Sequence, residues 1–204
     1  MLSLANLENI QDLVVQMSLL SDMHERRDPS FVQEVKRWLS KLETALRAGN
    51  LPESGQVAGL RSTLIATERD SYKKESDIRG YASRRHKTEA TAVQTFQQAG
   101  TLAINAIQYD RARIGEAERL VRQIISIAKS KNLINGTLVC KATLQDWNEL
   151  WQTFSTDPAI SAGTVNLEGM LGQRDAVILL RRISIEDVPV VDDPASSTSI
   201  IPEN

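Results

Sequence analysis

Cysteine is almost absent from this chain. One thiol, Cys140, among 204 residues cannot close an intramolecular disulfide or supply the paired thiolates of a structural zinc site, so a disulfide scaffold and a cysteine-based zinc module are both excluded. A reducing, cytoplasmic setting is expected. Histidine is nearly as scarce: His24 and His86 lie far apart in the chain and neither stands at metal-ligand spacing from Cys, Asp or Glu. With so few bases, Cys140 reads as a buried strand cysteine rather than a nucleophile. His24, at the end of a helical pattern, suits the negative end of the helix dipole.

Long apolar runs are missing as well. The longest, Leu13 to Leu20, is under half of the roughly 20 residues that a membrane-spanning helix needs. Met1 to Leu4 lacks the basic start of a secretory signal, and Glu8 and Asp12 break the apolar stretch that follows, so neither export nor a transit peptide is expected. The glycines at 163, 169 and 172 lack the Gly-Lys-Ser/Thr ending of a phosphate loop and the spacing of a dinucleotide fingerprint. They read as turn residues around a short helix. No catalytic, cofactor-binding or metal-binding set emerges, and no solenoid-type repeat is present.

What is present is ordinary globular material, 41% hydrophobic and 25% charged, in a chain long enough to bury a core without covalent staples. The net charge of −2 hides an uneven distribution. Residues 61–131 carry 14 Lys/Arg against 8 Asp/Glu, whereas residues 132–204 carry 4 against 10. A basic middle beside an acidic end points to an anionic partner for the middle or to attraction between the two.

Apolar spacing organises the first fifty residues. Leu7, Ile10, Val14 and Met17, flanked by Leu4, Leu13 and Leu20, make a broad helical stripe from Ser3 to His24. Asp28 and Pro29 restart the chain as cap and first helical residue, and Phe31, Val35, Trp38, Leu42 and Ala45 form the next buried face. The brief link between them predicts an antiparallel hairpin. A third helix begins near Glu53, and the pattern turns polar from Thr67 to Lys87, where periodicity leaves helix or loop open. From Thr88 to Lys131 a long proline-free helix is predicted, roughly 65 Å if continuous. Its small residues allow a close neighbour, and Val93, Phe96, Ala103, Ile107, Ile114, Val121 and Ile124 give it an apolar seam. A helix of that length either bends back at Gly100 or Gly115 or pairs with another chain.

Asn135-Gly136 marks a turn. Beyond it, Thr137 to Cys140 reads as a short strand, Thr143 with Asp146 as a capping box, and Leu144, Trp147, Trp151 and Phe154 as one face of a short helix, its tryptophans in the core. Ala176 to Leu180 reads as a buried strand. The expected fold is therefore mainly α: an antiparallel helical bundle with one very long helix over residues 1–134, a small α+β appendage over 135–185, and a flexible acidic Ser/Pro tail over 186–204.

One cluster has the composition of a binding site. Lys73, Lys74, Arg79, Arg84, Arg85 and Lys87, with Tyr72, Tyr81 and His86 interleaved, combine positive charge with rings. The leading expectation is a non-enzymatic interaction or assembly protein that self-associates along the seam or docks another protein. The second is a nucleic-acid-binding or coating protein that uses this cluster with Arg111, Arg113, Arg119 and Arg122.

Overall fold

The hydroxyl of Ser3 accepts a hydrogen bond from the Asn6 amide at 3.3 Å and so caps helix α1 (Leu4–Glu25) in the computed structural model. The structure describes residues 2–73, 78–134, 143–183, 185, 188 and 189, and the side chains of residues 71–84 are outside that description. The expected strand at Thr137 to Cys140 and residues 190–204 of the expected tail also fall outside it. Helices α2 (Phe31–Ala48), α3 (Glu53–Lys73) and α4 (Ile78–Ser130) follow. The N-cap of α2 is Ser30 rather than the expected Asp28, and Asp28 instead shapes the turn before it, its carboxylate accepting from the Ser30 amide at 2.8 Å and the Ser30 hydroxyl at 2.7 Å.

Three helix ends close in the same way. Arg27, Asn50 and Asn132 each adopt a left-handed φ near +55° (56°, 55° and 56°), and the next amide reaches back five residues: Asp28 to Met23, Leu51 to Leu46 and Leu133 to Ala128, at 2.9 to 3.0 Å. These are Schellman closures, which favour Gly or Asn at the left-handed position. Arginine there is the exception.

The chain divides into two compact units, residues 1–111 and 112–204. In the first, α1 to α3 and the start of α4 form an up-down-up-down bundle. The Trp38 indole N–H donates to the Leu13 carbonyl at 2.8 Å, tying α2 to α1 as the hairpin reading expects, and its ring meets Phe96 of α4 edge-on at 5.3 Å. Gly100 lies against Met17, so closely that a Cβ would sit 2.1 Å from the Met17 Cε. The small residues of α4 thus admit a side chain from α1. Gln56 and Leu60 of α3 face Gln97, Thr101 and Leu102 of α4 across a shallow hollow.

Buried charge pins α3 to α2. Glu43, only 6% exposed, binds Arg47 with one carboxylate oxygen and Arg61 Nε with the other at 2.9 Å, and Lys36 meets Glu68 at 2.6 Å. Burial alone raises the Glu43 pKa, but the Arg47 hydrogen bond together with the Arg61 charge and hydrogen bond outweigh it and hold it below the usual 4.5. Hydrogen bonds from Ser30 and from Lys131 likewise lower Asp28 and Asp157. The folded chain therefore binds fewer protons than the unfolded one in the carboxylate range. This stabilisation is complete above about pH 5 and is lost as pH falls through the lowered values. Thermal melts stepped from about pH 6 to 3 should show a falling midpoint, with a shallower fall in Glu43→Gln.

The second unit gathers the last turns of α4 with α5 (Leu144–Thr156), α6 (Ser161–Leu171) and α7 (Gln173–Arg182). Thr143 and Asp146 form the expected capping box. Trp147, Trp151 and Phe154 are buried as read, whereas Leu144 is 55% exposed. The Trp151 indole donates to Glu168 of α6 at 2.7 Å, and Gly163 of α6 lies against Ile124. Ser126 and Lys129 donate to the Pro189 and Val188 carbonyls at 2.6 Å, which holds the start of the acidic segment.

The strand expected at Ala176 to Leu180 is a helix instead, so the α+β appendage is corrected: all regular structure among the described residues is helical. Asp175 occupies the first turn of α7 and Arg181 and Arg182 the last, each opposing the helix dipole. Ala176, Val177, Leu179 and Leu180 are all buried. A short helix buried on most of its circumference reads as a continuous apolar run, as a buried strand does. Gly172 separates α6 from α7 at φ 80°, ψ 152°. A Cβ there would meet nothing within 4 Å, so the cost of Gly172→Ala is conformational. It should destabilise by about 1–3 kcal/mol, read as a lower urea midpoint with an unchanged slope.

Helix α4 also differs from its expectation. It starts at Ile78 rather than Thr88 and runs unbroken for 53 residues past Gly100 and Gly115. Successive parts of it serve two separate cores, which is how so long a helix buries its apolar face without a second chain.

Candidate binding cleft between α1 and α4

The expected seam lies inside the chain. Phe96, Ala103 and Ile107 are buried in the first unit, and Ile114, Val121 and Ile124 in the second, all at 8% exposure or less. Val93 is half-buried. Their apolar surface is taken up by α1 to α3 and by α5 to α7.

Of the expected basic cluster, Arg85 and Lys87 are exposed on α4, with His86 between them. The side chains of Lys73, Lys74, Arg79 and Arg84 lie outside the described residues. Along the same helix Arg111, Arg119 and Arg122 are exposed and Arg113 is half-buried. Arg119 is paired with Glu116.

Arg85 and His86 open a cleft of about 870 Å³ in the first unit. Helical periodicity builds one wall. Residues 85, 86, 89, 90, 93, 94 and 97 fall on one flank of α4, beside the buried stripe of Ala92, Phe96 and Ala99. The flank changes character along its length: a cationic end at Arg85 and His86, an apolar floor at Ala90 and Val93, and two amides at Gln94 and Gln97. Lys87 points off this flank.

The opposite wall is the end of α1. His24 stacks against Phe31 at a centroid distance of 5.0 Å and places Nδ1 3.6 Å from Glu89 Oε1. That nitrogen is enclosed and has no hydrogen-bond partner. Arg27 stands just beyond it, in the left-handed conformation that the other two Schellman ends give to asparagine. The cleft thus joins both histidines of the chain to two guanidiniums and two carboxylates, those of Glu25 and Glu89.

No protein family, curated protein or solved structure matches the chain. Its chemistry must be read from this geometry. Among the described residues no three His, Cys, Asp or Glu side chains converge to hold a metal, and no helix is long and apolar enough to cross a membrane.

Sequence reasoning found Arg85 and His86 in its basic cluster and missed the rest of the cleft. His24 and His86 were set aside because they are distant in sequence, and only the antiparallel packing of α1 on α4 brings them together. A usable signal was the hairpin turn itself, because Glu25 to Asp28 had to sit at one end of the bundle with the basic cluster free to join it.

Proposed function

We propose that this chain is a non-enzymatic helical interaction protein that docks a protein partner at the cleft between α1 and α4. One observation carries the reading: two arginines, two histidines and two glutamine amides from separate elements converge on a cleft of about 870 Å³, within the size range of specific ligand sites. Arg27 strengthens it. A left-handed arginine costs roughly 1 kcal/mol relative to glycine, and strain of this kind concentrates at functional positions. A reducing, intracellular setting suits a partner-binding protein with one thiol.

The test is affinity capture from nuclease-treated native extract on the full chain, on the Arg27→Glu/Arg85→Glu double variant, and on Lys41→Glu, which lies outside the cleft. Polypeptides held by the wild type and by Lys41→Glu should be lost from the double variant. An unchanged set of retained proteins contradicts the reading. So does direct binding of purified RNA or DNA to the full chain that weakens by about 10³–10⁵ between roughly 50 and 200 mM salt.

A further inference from the structure

The cleft has a length and a polarity, and these identify its ligand more closely. From Arg85 to Gln97 is 12 helical steps, roughly 18 Å at 1.5 Å each, which accommodates about five residues of extended peptide at 3.3 Å each. A nucleic-acid strand of that length brings roughly five phosphates at 3.4 Å spacing. Among the described residues it would meet the guanidiniums of Arg27 and Arg85 and be opposed by Glu25 and Glu89. One or two carboxylates match the two guanidiniums instead. Gln94 and Gln97 each offer a donor and an acceptor to a peptide backbone, and Ala90 and Val93 leave an apolar stretch between.

We propose that the cleft binds a short extended peptide segment with acidic residues at the Arg27/Arg85 end and backbone contacts at the Gln94/Gln97 end. This rests on the docking reading above. His24 faces Glu89 on α4 and Phe31 on α2, with Glu25, Arg27, Arg85 and His86 around it.

The probe is an N-acetylated, C-amidated pentapeptide beginning with two glutamates, compared with its glutamine counterpart. Because the chain has two histidines, their imidazole Hε1 resonances report directly on the cleft in the full-length protein. Both should move along one saturation curve. The acidic peptide should bind about tenfold or more tighter than the glutamine peptide. Arg85→Gln should weaken it by about tenfold or more. Arg27→Gly gives the sharpest signature: it relieves the left-handed strain, so the melting temperature should rise by a few degrees while peptide affinity falls.

No histidine shift at millimolar peptide, equal affinity for the two peptides, or full affinity in Arg27→Gly overturns the proposal. If the peptide fails while capture still depends on Arg27 and Arg85, the ligand class is wrong and the docking reading stands. If capture is indifferent to both arginines, the docking reading itself falls.

Discussion

Trp151→Ala is expected to destabilise the second unit by about 3–5 kcal/mol. Trp151 is fully buried, its indole N–H donating to Glu168 at 2.7 Å. It is one of two tryptophans of α5 and, like Phe154, Leu167 and Leu180 of the same unit, is at 0% exposure. Alanine therefore leaves a cavity lined by side chains already held in place, and such walls relax only in part. Loss of the hydrogen bond adds less, because Glu168 is half-buried and its carboxylate can be hydrated. Trp151→Phe, which keeps most of the ring, should cost only about 1–2 kcal/mol. For a domain of this size, total stability is on the order of 5–15 kcal/mol, so the alanine variant should lose a large part of it. Urea unfolding followed by circular dichroism reads both variants, and similar costs for the two would show that the cavity is not the main effect.

In the first unit the corresponding position is Trp38, and Trp38→Ala should also cost about 3–5 kcal/mol. The residue is 3% exposed and holds three helices with one side chain: α2 carries it, α1 accepts its N–H at Leu13, and Phe96 of α4 meets its ring edge-on at 5.3 Å with an interplanar angle of 67°. Edge-to-face pairs of this kind contribute about 0.5–1.5 kcal/mol beyond their buried area. Phe96→Leu in the wild type and in Trp38→Ala completes a double-mutant cycle. A coupling of that size is expected, and strict additivity would mean that the two rings pack independently.

Much of the fold was legible because local chemistry and apolar spacing agreed. The stripe from Leu4 to Leu20 and the Thr143/Asp146 box each named an element that the structure keeps, the restart at Asp28 and Pro29 fell two residues before the helix it announced, and Trp147 and Trp151 were readable as core from their one-turn spacing. The described residues between Thr67 and Lys87 were not legible as helix, because a polar helical segment carries no apolar period. Helix α7 was mistaken for a strand because its apolar residues form one run of five, Ala176 to Leu180, too short to show a helical period by itself, although Asp175 and the Arg181/Arg182 pair at its ends were the available clue. The apolar seam of α4 was identified residue by residue and read as bending back or pairing with another chain; that successive lengths of one unbroken helix could serve two cores was not among those readings. The cleft was the least legible feature. It joins the turn after α1 to a flank of α4 some sixty residues on, and neither arginine nor histidine announces a left-handed helix end or an enclosed imidazole in sequence.

The central claim is that a polypeptide occupies the cleft, and site-specific photocrosslinking tests it most directly. A photoreactive phenylalanine analogue placed at Gln94, inside the cleft, is compared with the same group at Val165, an exposed α6 position at 69% exposure, each irradiated in native extract. The account predicts a discrete crosslinked polypeptide from position 94 that is absent from position 165 and competed by the acidic pentapeptide. Crosslinking to nucleic acid at position 94, or to the same polypeptides from both positions, would contradict it.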